Sequence, residues 1–271
     1  MLRALDVRDR ARRRFRRGIF LLPSLFTVAN MFCGYACVVY AMRGEFETAA
    51  PFIGIAIVLD MLDGRIARLT GTSSDFGVQF DSLADVISFG IAPAILCFAW
   101  GLAPLGRLGW AAGFLFLTAT AMRLARFNVQ SATADKRYFV GMPSPAAASV
   151  PAATVFAFPE GLHDFGGALP ALAIVLIPAL LMVSTIRYVS FKDIDLRRPR
   201  AYRNVILVAA GFVAVVSYPR IMLAAMAYGY LVGGPIGSVV ARVRRRRSPA
   251  ETDVVDQGDS ADAAQRTATG G

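Results

Sequence analysis

Four aspartates stand in two close pairs along this chain. Asp60 and Asp63 are three residues apart, and Asp81 and Asp85 are four apart a short way downstream. On helices, both spacings put the paired carboxylates on one face. The joint between them, Leu-Thr-Gly-Thr-Ser-Ser-Asp-Phe-Gly-Val at 69–78, is short and turn-rich. Two helices joined this way must pack antiparallel and bring four carboxylates into one small volume. Both flanking segments are otherwise apolar, and a carboxylate at the centre of a membrane helix costs about 2.5 kcal/mol or more. Four anions in contact would also repel one another. Divalent cations remove both difficulties. An all-oxygen donor set suits Mg²⁺ or Mn²⁺ rather than zinc, and two such ions sharing carboxylates form a clamp for displacement at phosphorus.

The neighbouring residues suit a phosphate ester. Gly64 lies four after Asp60 and Ala67 four after Asp63, so side-chain bulk is missing beside both acids. Arg68 lies eight after Asp60 on the same side, where a guanidinium can bind phosphate. Gly77 and the Thr72-Ser73-Ser74 turn add backbone freedom and hydroxyl donors. A single Asp at a helix end is ordinarily a cap or a solvated charge, and Arg65 reads as a charge flanking a membrane span. Four aspartates at this spacing, with no Lys partner, do not fit that account.

This stretch resembles the CDP-alcohol phosphatidyltransferase family, whose motif is D-x-x-D-G-x-x-A-R, eight residues, then G-x-x-x-D-x-x-x-D. Asp60, Asp63, Gly64, Ala67, Arg68, Gly77, Asp81 and Asp85 complete it. The resemblance implies that all four aspartates bind a pair of Mg²⁺ or Mn²⁺ ions and that Asp85 is the general base. It implies that Gly64 and Arg68, with Ser74 in the loop, contact the CDP portion, with Ala67 and Gly77 beside them. The segment Leu22-Pro23-Ser24-Leu25-Phe26-Thr27-Val28-Ala29-Asn30 is similar to the family's Pro-Asn-x-x-Thr-x-x-Asn. Thr27 and Asn30 match there and are also placed near the nucleotide, whereas Ser24 replaces the common Asn.

A further stretch resembles the phosphatidylserine synthase branch of that family. It comprises Arg123-Leu124-Ala125-Arg126-Phe127-Asn128 and Lys136-Arg137-Tyr138-Phe139-Val140-Gly141-Met142-Pro143-Ser144-Pro145. The implied substrates are CDP-diacylglycerol and L-serine. Arg123, Arg126, Asn128, Lys136, Arg137 and Tyr138 become candidates for the serine carboxylate or the lipid phosphate. Glycerol 3-phosphate, inositol phosphate or another alcohol stays open as acceptor. An ion-coupled transporter is the rival from another class, since intramembrane acids also mark ion paths. Transporters spread such acids over discontinuous helices near mid-membrane; here all four lie on two adjacent segments near one surface.

The elements that must position these residues follow from composition. Of the 271 residues 56% are hydrophobic, and the mean hydropathy is +0.52. A soluble domain is nearer 45–50% apolar. The continuous apolar runs predict an all-α, polytopic transmembrane bundle of about eight spans, near 19–42, 47–69, 79–100, 108–128, 144–159, 168–190, 203–217 and 219–240. The fifth and seventh are the shortest, and a count of six to eight covers them. Continuous rather than alternating runs argue against a β-barrel. With eight spans, all of the 29 basic residues except Arg43, Arg107 and Arg220 fall on one side. The positive-inside rule makes that side cytoplasmic, with both termini and the aspartates. This predicts an integral protein of the cytoplasmic membrane with its active site facing the cytoplasm.

Residues 1–18 read as a basic cytoplasmic arm, 19–240 as one membrane domain, and 241–271 as a basic, then disordered, tail. The first apolar segment is too long for a cleaved signal and reads as an anchor. The net charge of +10 flanks the spans rather than lining a soluble face, so nucleic acid is excluded as a partner and membrane lipid is the expected one. Cys33, Cys37 and Cys97 lie within spans and read as packing residues. Small residues in the later spans provide for helix packing and a homodimer.

Overall fold

A computed structural model describes residues 25–70, 74–131, 139–188, 209–211 and 213–246. These are helical apart from short connections and one two-residue ladder. Helix α1 is Leu25–Met42 and α2 is Phe46–Thr70. Helix α3 runs over Asp75–Leu105 and contains π turns at Ile87–Ile91 and Phe98–Leu102. Helix α4 is Arg107–Ser131, α5 is Ser144–Ala157, α6 is Phe165–Val183 and α7 is Pro219–Arg246. A helical stretch through 209–211 and 213–217 precedes α7. Strands β1 (Phe139–Val140) and β2 (Arg187–Tyr188) pair antiparallel, Phe139 opposite Tyr188.

Among the described residues four helices are long and apolar enough to cross a membrane: α1, α3, α4 over Arg107–Val129, and α6. This is an integral membrane protein. Its surface carries large apolar side chains such as Phe32, Tyr35, Phe76, Trp110 and Phe114, as a lipid-facing surface must. Helix α2 has the length to span but carries Asp60, Asp63, Arg65 and Arg68. The expected sixth span, 168–190, is shorter as a helix. It stops at Val183, where Ser184 turns extended (φ −64°, ψ 162°). Arg187–Tyr188 is then drawn into the ladder with β1. Of the expected seventh span only residues 209–211 and 213–217 are described, and the arm at 1–18 lies outside the described residues. Helix α7 continues to Arg246, so Arg242–Arg246 are helical where the tail was expected to begin.

Helix α5 is the axis of the bundle, packing on α2, α6, α7, α3 and α4. Its sequence, SPAAASVPAATVFA, explains why. Small side chains let five neighbours approach, and Ala147, Ala148, Val150 and Val155 are completely buried. Fourteen residues rise about 21 Å, less than a hydrocarbon core of about 30 Å. A helix so enclosed need not reach both surfaces by itself. At the end away from the aspartates, Trp100 Nε1 donates to the Phe158 carbonyl at 2.8 Å and Leu162 N donates to the Trp100 carbonyl at 2.7 Å, tying α3 to the α5–α6 connection.

Helix α1 meets α3 at a close approach that requires glycine. A Cβ on Gly34 would lie 2.7 Å from both Cα and Oγ of Ser88. Ser88, in the first π turn, is completely buried and donates from Oγ to the Asn30 carbonyl at 2.9 Å. Replacing Gly34 by Ala should therefore force the helices apart at a cost of about 1–3 kcal/mol, read as a thermal midpoint several degrees lower in detergent. Gly54→Ala, at a site with nothing within 4 Å of the added carbon, should hold or raise the midpoint. Equal midpoints for the two variants would show that the close approach is not a constraint.

Candidate metal centre

Ser74 caps α3, its Oγ accepting from Gly77 N at 3.0 Å. The cap fixes where α3 begins and hence the rotation that turns Asp81 and Asp85 toward α2. On α2, Asp60 occupies the facing position. One carboxylate oxygen from each of Asp60, Asp81 and Asp85 lies within 4.8 Å of the others. Asp63 lies within electrostatic reach of Asp60 and Asp81. The two pairs therefore converge as their spacing requires.

Helix α1 holds two of the acids in place. Thr27 Oγ1 donates to Asp63 Oδ2 at 2.5 Å, and Asn30 Nδ2 donates to Asp85 Oδ1 at 3.2 Å. Thr27, Asn30, Asp63 and Asp85 are all buried. Both α1 residues, expected near a nucleotide, thus touch the aspartates themselves. Two buried oxygens in the same place, Asp81 Oδ1 and Asn30 Oδ1, have no hydrogen-bond partner. A buried acceptor left in that condition costs about 1–3 kcal/mol. Oxygen donors from three converging carboxylates and an orphaned carboxylate oxygen fit a hard divalent cation. Among the described residues the Arg123 guanidinium interacts with Asp60 and Asp85, and one positive charge cannot balance four carboxylates.

Around the cluster, Gly64 is exposed, and a Cβ there would meet only Arg68 Nη2, at 3.8 Å. Arg68 is exposed and donates from Nε to the Gly64 carbonyl at 2.6 Å. Ala67 and Gly77 are half-buried and Ser74 exposed, so an open surface lies next to the acids. Thr72 and Ser73 lie outside the described residues.

The other cationic candidates separate. Arg123 is half-buried and donates from Nη1 to Ser144 Oγ at 2.6 Å. Asn128 Nδ2 donates to Ser82 Oγ at 2.9 Å, one residue from Asp81. Arg126 is exposed. Lys136, Arg137 and Tyr138 lie outside the described residues. Sequence reasoning missed Ser144, Ser82, Ser88 and Tyr230, whose phenol interacts electrostatically with Arg123. Ser144 had a signal, since it sits in the Met-Pro-Ser-Pro run, but that run reads as a helix start. Ser88 had none, because its contact depends on a π turn.

Comparison with known proteins agrees with this arrangement. The family model for CDP-alcohol phosphatidyltransferase matches residues 20–186. A CDP-diacylglycerol–serine O-phosphatidyltransferase of Helicobacter pylori is 40% identical over 178 residues, covering 65% of this chain and 75% of that protein. The protein of the same name from Mycobacterium leprae is 39% identical over 145 residues, 51% of this chain and 48% of its own. An archaetidylserine synthase of Methanothermobacter thermautotrophicus is 36% identical over 169 residues, 62% of this chain and 69% of its own. With residues 20–186 matched by the family model and the aspartate motif complete, this chain belongs to the CDP-alcohol phosphatidyltransferase family.

Proposed function

We propose that the chain transfers the phosphatidyl group of CDP-diacylglycerol to the hydroxyl of L-serine, giving phosphatidylserine and CMP. The convergence of Asp60, Asp81 and Asp85 carries this reading. Serine as the acceptor is supported by the activities for which the H. pylori and M. leprae relatives are named.

Asp60, Asp63, Asp81 and Asp85 hold two ions, Mg²⁺ or Mn²⁺. Bound there, the ions supply neutralisation of the diphosphate and of the charge developing on departing CMP. Gly64, Ala67 and Gly77 leave room for the cytidine nucleotide, and Arg68 and Ser74 contact it from the open side. Thr27 and Asn30 lie close enough to join that contact while they fix Asp63 and Asp85. The serine hydroxyl forms a new bond to the lipid-bearing phosphorus, and the bond from that phosphorus to the CMP oxygen breaks, its electron pair leaving with CMP. The hydroxyl proton passes to Asp85. Asn30 occupies Oδ1 of Asp85, which orients the carboxylate for that transfer. Arg123, Arg126, Asn128, Lys136, Arg137 and Tyr138 are the candidates for binding the serine carboxylate or the lipid phosphate.

The surrounding assembly is part of the same reading. Eight spans place both arginine-rich termini and the aspartates on the cytoplasmic side of the cell membrane. The basic arm (1–18) and tail (241–271) flank the membrane domain (19–240) in the sequence, and their charge attracts anionic lipid. Two copies associate, a reading supported by Gly229, Gly233 and Gly237 on α7, which have open space beside them.

Purified enzyme given CDP-diacylglycerol should release CMP with L-serine when Mg²⁺ or Mn²⁺ is present, and lose that activity on chelation. Release with glycerol 3-phosphate or inositol phosphate in place of serine would overturn the acceptor, and no release with any alcohol would overturn the reaction. Asp85→Asn should lower turnover by at least about a hundredfold while keeping the wild-type elution profile. Wild-type turnover in that variant would remove Asp85 from the role of base.

A further inference from the structure

The Arg123–Ser144 pair is built more firmly than a charge flanking a membrane span would need. Ser144 is completely buried at the start of α5. The backbone leading to it is fixed by Gly141 N donating to the Ile186 carbonyl at 2.9 Å and Met142 N donating to the Leu181 carbonyl at 3.0 Å. Gly141 has φ +86°, which favours glycine, and a Cβ there would run into the Met182 carbonyl. Met142 is itself completely buried. The Ser144 hydroxyl is thus held on constrained backbone, and it accepts from Arg123 Nη1 at 2.6 Å. A guanidinium carries five N–H donors in a rigid fork, of which this bond takes one.

The field of Arg123 reaches Asp60 and Asp85, so a fixed cation stands beside the acid assigned to take the acceptor's proton. An amino-acid acceptor needs that. Its own carboxylate gains nothing from ions already committed to the aspartates and the lipid diphosphate, and its hydroxyl is only three bonds from that carboxylate. When the hydroxyl is against Asp85, the carboxylate must therefore be close by and must meet a positive charge. The lipid diphosphate, in contrast, is drawn to the ion site. Arg126 is exposed.

We propose that Arg123, positioned by Ser144, binds the carboxylate of the acceptor and sets the enzyme's preference for an amino acid over a neutral alcohol. This assignment rests on the serine-transferring function proposed above. Ser144 is a positioning residue and acts through Arg123.

The test compares L-serine with L-serinamide, which keeps the hydroxyl and the amine but replaces the carboxylate by a neutral amide. CMP release is measured with full-length Ser144→Ala and with Arg123→Lys, which keeps the charge but loses the fork. Each should lower kcat/KM for L-serine about tenfold or more, as loss of a charge-assisted contact does. The fall should be about tenfold larger for L-serine than for serinamide, since any effect of either variant on the aspartates or the lipid is common to both acceptors. The two variants read the same contact from opposite ends, so the result stands on whichever of them keeps the wild-type elution profile. An equal fall with both acceptors would overturn the proposal, since a structural defect does not distinguish them. A rise in KM for CDP-diacylglycerol alone would reassign Arg123 to the lipid phosphate. Wild-type enzyme releasing CMP with glycerol 3-phosphate but not with serine would instead sink the function on which the proposal rests.

Discussion

Negative charge gathered inside an apolar bundle is the constraint on which the rest of this structure depends. Four carboxylates on two adjacent helices cannot be placed in hydrocarbon without opposing charge and hydrogen-bond donors. The fold supplies part of that compensation itself. Thr27 and Asn30 reach across from α1 to Asp63 and Asp85, and Arg123 reaches in from α4. The rest is left undone, as the orphaned Asp81 Oδ1 records. A centre that satisfied every carboxylate with protein donors would have no affinity left for cations. Its incomplete compensation is what leaves it able to take up a cation.

The helices around the centre are shaped by the need to hold these groups still. Asn30 can serve Asp85 only if α1 lies against α3, and Gly34 opposite Ser88 is where that contact is closest. The π turn over Ile87–Ile91 begins two residues after Asp85 and carries Ser88, which donates to the Asn30 carbonyl. Widened turns of this kind are frequent at functional sites. Here the turn gives the aspartate helix a second attachment to α1, through the backbone of the residue that orients Asp85. Burial of α5 at the centre of the bundle has a similar consequence, since it holds still the helix whose N-terminal serine meets Arg123.

The convergence of the acids was legible in the sequence because helical spacing and a short joint determine it almost alone. Asp60, Asp63, Asp81 and Asp85 need no long-range information beyond two neighbouring antiparallel helices. The apolar runs similarly located α1 to α4 to within a few residues. Prediction failed where tertiary contacts override local pattern. The sixth apolar run continues past Val183, yet the chain turns extended there because Gly141 and Met142 donate to carbonyls at its end. The roles of Thr27 and Asn30 were half legible. Their nearness to the site could be read from a resemblance, but their bonds to Asp63 and Asp85 depend on the packing of α1.

The stretch that pointed to one branch of the family has a physical meaning that the residue types alone conceal. Its arginines look like the informative part, and its Gly-Met-Pro-Ser-Pro run like punctuation before a helix. In the structure the dependence runs the other way. Gly141 permits the left-handed turn, Met142 anchors it in the core, and Ser144 arrives where Arg123 can donate to it. A guanidinium on a long side chain loses much rotamer freedom when confined, and a bond to a buried hydroxyl confines it before any ligand arrives. If Arg123 meets the acceptor as proposed, the backbone over 141–144 is as much a part of recognition as the arginine it steadies, and a change of acceptor would follow from altering these residues while the aspartates stay untouched.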